Sequence, residues 1–306
     1  MSKTSKILII KLGALGDVLR TTPLLRVLDG DICWVTKKES LPILPAGSPF
    51  LGEAVEAGEA LNKLSKRDFD LVLSLDDDPA AARLSSLLNK KALIGSFLDP
   101  SGRVAYTDSA AAWFDMGLVS KFGKQKADAL KGKNRQTYQE ILFRIAGKDF
   151  NGEEYILDFE EGPVEKKAGE GLLVGIESRA DKRWPSKCWN KYELLADRLR
   201  SRGLQVKFFT QRETLGEYIK DISGCDLIVT GDTLAMHLGL ALKIKVAAIF
   251  TCTSPQEIYG YGRLVKVVSP LLEKAFYRQE YVPEAVEAVS LDAVYQAALS
   301  LAGDKR

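Results

Sequence analysis

Two aspartates stand at positions where a carboxylate can do chemistry. Asp17 closes the segment Gly13-Ala14-Leu15-Gly16-Asp17, directly after the apolar run Ile7-Leu8-Ile9-Ile10 and Lys11-Leu12. Asp232 stands in Gly231-Asp232-Thr233, directly after Leu227-Ile228-Val229-Thr230. In both, a short run rich in β-branched residues reads as a buried strand, and a helical pattern follows the turn. Open α/β sheets bind ligands beyond the carboxyl ends of such strands. A carboxylate there can take a proton from an attacking hydroxyl, or it can simply cap free N–H groups at the helix start. Taken alone, Asp17 reads as a cap; the recurrence of the same design 215 residues later favours a functional role. Gly13 and Gly16 would admit backbone angles closed to other residues and let a ligand approach the main chain.

The third element is Lys182-Arg183-Trp184-Pro185, with Ser178 upstream; the fourth is His237, the sole histidine. A lysine offers a point charge for phosphate and a serine a hydroxyl. The bland reading is surface charge beside a buried Trp184 and a structural histidine. There is no Gly-x-Gly-x-x-Gly after either leading strand and no P-loop, which argues against a dehydrogenase or an NTPase.

In order and spacing these motifs resemble glycosyltransferase family nine, the family of the ADP-heptose:lipopolysaccharide heptosyltransferases, over nearly the whole chain. The resemblance implies a GT-B fold: two Rossmann-like doubly wound domains facing each other across a cleft. It implies metal-independent, inverting transfer of a heptose or related sugar from ADP-heptose to a lipopolysaccharide core or other bacterial surface glycan. Carried over residue by residue, Asp17 becomes the base, while Gly13 and Gly16 shape the loop that holds it. Lys182 and Ser178 become phosphate ligands. Thr233 adds a hydroxyl, Asp232 bonds sugar or ribose hydroxyls, and His237 makes a polar contact in the donor site. No metal or other cofactor is implied.

The chain also departs from the family. Leu234 stands where the family's Asp-x-Gly-x-x-His pattern has glycine. Between the strand ending at Phe209 and the one at Asp226 there is room for one helix, where the family has an extra helix–strand unit. Gln211 and Glu213 are the nearest ribose candidates. These departures keep open a rival reading, a degenerate sugar-nucleotide-binding protein without catalysis.

Length and composition bound the rest. The 306 residues suffice for two domains, and the net charge of +2 gives no global attraction to nucleic acid. Four apolar residues before Lys11 are too few for a signal peptide, which predicts a cytoplasmic protein, with peripheral contact at the inner face of the inner membrane as an extension. Four widely spaced cysteines read as buried thiols. Alternating strand and helix signals predict two domains, 1–162 and 163–306, divided near Gly162-Pro163; the resemblance implies that the first binds the acceptor and the second the sugar nucleotide, with the terminal helix crossing back to the first. Asp76-Asp77-Asp78-Pro79 reads as a helix start. From Lys121 to Arg135, six basic residues face Asp128 alone. That run is either a solvated surface or a site for an anionic acceptor.

Overall fold

The computed structural model describes residues 4–159 and 171–303 and divides the chain into two compact units, 1–158 and 159–306. The expected boundary at Gly162-Pro163 lies outside the described residues.

In the first unit, β1 (Lys6–Ile10) leads into a one-turn helix α1 (Leu15–Leu19). Then come β2 (Asp31–Thr36), β3 (Glu53–Glu56), α2 (Ala60–Leu64), β4 (Asp68–Ser74), α3 (Pro79–Leu87), β5 (Asn89–Leu98) and β6 (Val104–Tyr106). Three helices close the unit: α4 (Ala111–Phe114), α5 (Lys124–Lys133) and α6 (Tyr138–Ile145). The sheet order is β3-β2-β1-β4-β5-β6, parallel except for the β5–β6 pair. β1 lies between two partners, with Ile7 opposite both Ile32 and Leu71. That placement explains why Ile7–Ile10 are apolar on both faces. The core gathers Leu8, Ile10, Val35, Phe69, Val72 and Leu84.

The second unit repeats the winding. Its elements are β7 (Leu173–Glu177), α7 (Tyr192–Ser201), β8 (Gln205–Phe208), α8 (Leu215–Ser223), β9 (Leu227–Gly231), α9 (Leu234–Ala241), β10 (Lys245–Phe250), β11 (Leu264–Val268), α10 (Leu272–Ala275), α11 (Pro283–Glu287) and α12 (Leu291–Ala302). The sheet, in the order β11-β10-β9-β7-β8, is parallel throughout.

Three expectations need correction. The helix expected after Gly16-Asp17 ends at Leu19, and a 3-10 segment, Thr22–Arg26, follows. Pro23 sits in its first turn and supplies no N–H to continue an α-helix. β3 has too little apolar patterning, and the antiparallel edge strand β6 is too short at three residues, to stand out in sequence. The terminal helix does not leave its own unit: Val294, Ala297, Ala298 and Leu301 of α12 lie in one core with Ile176, Leu199, Val229 and Ile249.

Each sheet has a point where the winding reverses, between β1 and β4 in the first and between β7 and β9 in the second. Strand ends diverge there and leave a crevice. The Asp17 loop follows β1 and the Asp232 loop follows β9, so both motifs stand at switch points.

Candidate functional site

In the first unit, the loop after β1 is fixed from across the switch point. Asp76, just beyond β4, accepts hydrogen bonds from the N–H groups of Leu12 and Gly13, the latter at 3.0 Å. Its other oxygen takes the Lys11 ammonium at 2.6 Å, and Lys11 also donates to the Leu75 carbonyl at 3.1 Å. Burial opposes the charge on Lys11, but Asp76, with Tyr138 and Asp17, holds its pKa above the ordinary lysine value. Of the acidic triplet, then, only Asp78 acts as the expected cap, accepting from the Ala80 N–H at 2.7 Å ahead of Pro79. Asp76 is a loop anchor instead.

Asp17 is the third residue of α1 rather than its cap. Ala14 holds the cap position, and no side chain caps the helix. The Asp17 carboxylate, 37% exposed, pairs at 2.8 Å with Arg20, 12% exposed. The Arg20 guanidinium lies 4.0 Å over the Tyr138 ring, with Trp113 against the edge of that ring. The Tyr138 hydroxyl meets Thr21 at 2.8 Å. An open carboxylate with a sheltered cation beside it suits a base that must point one way. Gly13 earns its place by proximity rather than by backbone angle: a Cβ there would lie 3.2 Å from an Asp76 oxygen and 3.3 Å from the Asp17 Cβ. Neither Gly13 nor Gly16 is among the residues with positive φ, so the expected left-handed turn is not used.

In the second unit, the Asp232 loop is pinned by a lysine that the sequence reading passed over. Lys187 donates to the Asp232 carbonyl at 2.6 Å and to its carboxylate at 2.9 Å. Burial raises the Asp232 pKa, but Lys187, His237 and Thr253 outweigh it and hold the carboxyl far below its usual range. Gly231 allows this, since a Cβ would stand 2.9 Å from the Lys187 carbonyl. Thr233 pairs with Thr230 at 2.9 Å. His237 is buried in α9, and Leu234 lies half-buried in the same first turn. Asp232, Thr233 and His237 are thus gathered at one strand end, as expected. Ser178 is half-buried in the loop after β7, and Lys182 and Arg183 are exposed beyond it. Trp184 packs beside Val282 and Ala285 and meets Tyr277 edge-on.

The same loop holds a second network absent from the sequence reading. Glu177, the buried last residue of β7, accepts from Arg179 and from the Tyr218 hydroxyl. Burial and the Glu177 charge raise the Tyr218 pKa, so this hydroxyl stays a donor. Gln211 and Glu213 are exposed; the side chain that α8 sends to the strand end is Tyr218. A charged residue closing an apolar strand, as at Lys11 and Glu177, was the available signal for both missed networks. Among the described residues no three His, Cys, Asp or Glu side chains come together to hold a metal ion, and no helix is long and apolar enough to cross a membrane.

Residues 212–281 match the family model described as glycosyltransferase family 9 (heptosyltransferase). No curated protein matches by sequence. Among solved structures, a glycosyl transferase family 9 protein from Veillonella parvula is similar over 99% of this chain and 98% of its own, with TM-score 0.69 and 17% identity. ADP-heptose lps heptosyltransferase II of E. coli is similar over 97% and 98%, with TM-score 0.63 and 15% identity. E. coli heptosyltransferase WaaC with ADP-2-deoxy-2-fluoro heptose is similar over 95% and 98%, with TM-score 0.57 and 15% identity. The two parallel-sheet units have the GT-B fold of these structures, and the match to the glycosyltransferase family 9 model falls within the second unit.

Proposed function

We propose that the protein is an inverting glycosyltransferase in which Asp17 takes the proton of an acceptor hydroxyl as it attacks the anomeric carbon of a nucleotide-linked sugar. The observation that carries this reading is the Asp17 loop itself. An intact Gly-x-x-Gly-Asp segment stands at a switch point, locked by Asp76, and its carboxylate remains partly open. The leaving nucleoside diphosphate would meet Ser178, Lys182 and the first turn of α9 at Thr233, with Asp232 and His237 shaping the sugar or ribose contacts. The donor we favour is ADP-heptose, which the name of the E. coli heptosyltransferase II carries. The acceptor we favour is a lipopolysaccharide core or another anionic bacterial glycan, reached by peripheral contact with the inner membrane. Leu234 and the Lys187-engaged Asp232 favour the non-catalytic alternative. Calorimetric titration with ADP-, UDP- and GDP-linked sugars, followed by acceptor trials with the best binder, decides between the two. Tight donor binding without transfer to any acceptor would select the alternative.

Two outcomes follow from this reading. Positive charge from protein side chains takes the part of a cation at the diphosphate, so turnover should survive excess EDTA unchanged. Loss on chelation, restored by magnesium, would refute the assignment.

The second concerns α5 and the turn before it. Lys121 and Lys126 lie 5.4 and 5.2 Å from the half-exposed Phe122 ring, and Lys124 pairs with Asp128. The net positive charge of this stretch exceeds that of the whole chain, so it is the natural seat for an anionic acceptor. The triple change Lys121→Gln, Lys124→Gln and Lys126→Gln should raise acceptor KM and flatten its salt dependence, leaving donor affinity alone. Each exposed lysine contributes at most about 1 kcal/mol, and the field decays over about 8 Å at physiological salt. Unchanged acceptor kinetics at low salt would reduce the stretch to solvated surface.

A further inference from the structure

A carboxylate buried at the end of a strand must have its lone pairs satisfied. Glu177 does so entirely with donors from its own unit. One oxygen accepts from the Arg179 backbone N–H at 2.9 Å and from Arg179 Nε at 2.8 Å. The other accepts from Arg179 Nη2 at 2.8 Å and from the Tyr218 hydroxyl at 2.6 Å. This two-pronged grip fixes the plane of the guanidinium. The Arg179 side chain nevertheless stays 42% exposed, and its Nη1 donors lie outside the grip. Glu177 pairs in register with Thr230, so the loop carrying Arg179 leaves the sheet beside the one carrying Asp232. Tyr218 comes from α8, the helix that joins β8 to β9.

A bare Glu177 charge at this edge would repel a diphosphate. We propose that Arg179, held by Glu177 and Tyr218, admits a nucleoside diphosphate to the second unit, cancelling the Glu177 charge and hydrogen-bonding the phosphates from Nη1. Tyr218 is then a positioning residue, presented by α8. The inference rests on the reading of the second unit as the donor unit.

Calorimetric binding of ADP, UDP and GDP, with their nucleosides as phosphate-free controls, tests it. Arg179→Met should weaken the best-binding diphosphate by about tenfold or more, as for a lost charge-assisted contact. It should leave the parent nucleoside unchanged. Adding Glu177→Gln should recover part of the loss, because the uncovered carboxylate is gone. Arg179→Lys, which keeps the charge but not the two-pronged grip, should fall between, and Tyr218→Phe should cost a few-fold at most. Thermal unfolding of each variant separates binding from folding. Normal diphosphate binding by Arg179→Met, or no recovery in Glu177→Gln/Arg179→Met, overturns the proposal while the donor reading stands. A wild-type protein that binds none of the three diphosphates overturns both.

Discussion

Asp17→Asn should lower kcat by about 10²–10⁴-fold, the range for removal of a general base, while leaving nucleotide-sugar affinity nearly unchanged. The separation is expected because every candidate donor ligand, from Ser178 to His237, belongs to the second unit, whereas Asp17 belongs to the first. Folding should also survive. The Asp17–Arg20 pair is partly exposed, and such pairs contribute about 0–1 kcal/mol. Arg20 retains its seat over the Tyr138 ring in the variant. Parallel measurements of turnover, donor binding and thermal unfolding check the three parts separately. Near-normal turnover would reduce Asp17 to an ordinary surface partner of Arg20.

The second large effect is on stability. Lys11 and Asp76 are both buried, and breaking a buried pair from one side costs about 3–5 kcal/mol. Asp76→Asn should therefore lower the unfolding free energy by that order at pH 7. The pH dependence has a definite sign. In the native protein the Lys11 pKa lies above its unfolded value, so the pair's contribution is complete below the unfolded pKa of about 10.4 and is lost only in stronger alkali. Stability should hardly change between pH 7 and 9 on its account. In Asp76→Asn, burial acts on Lys11 without its partner, and the folded state favours the neutral amine. The unfolded chain then binds more protons, so stability rises with pH. Denaturant titrations at pH 7 and pH 9 should show a smaller deficit at pH 9. A deficit under about 1 kcal/mol at pH 7 would mean that the pair does not hold the loop.

The contrast between Asp17 and Asp76 shows which parts of the site can be read from sequence. Asp17, Asp232, Thr233 and His237 lie within a few residues of the strand that presents them, so local pattern reveals them. Asp76 bonds a loop more than sixty residues earlier, and its neighbours Asp78 and Pro79 carry a strong helix-start signature that masks it. Lys187 escaped for a similar reason. Its partner is 45 residues away, and the nearby Lys182-Arg183-Trp184-Pro185 motif drew attention to the exposed lysine rather than the sheltered one. The sheet cores were legible because strands buried on both faces are continuous apolar runs. The break after Leu19 was not, because the leucine spacing around Pro23 imitates a longer helix.

The order of strands also bears on how the nascent chain acquires its site. β1 is synthesised before both strands it pairs with, yet it lies inside its sheet, and one of those partners, β4, is made 64 residues later. At ribosomal rates of about 5–20 residues per second, roughly 3–13 s pass before that partner exists. During that interval one edge of a strand that is apolar from Ile7 to Ile10 is open to wrong pairing. The loop bearing Asp17 cannot be shaped any sooner, because Asp76, which fixes it, arrives just behind β4. Chaperone demand and misfolding should therefore concentrate in this early window, and synonymous codon changes that slow translation before Asp76 should lengthen it.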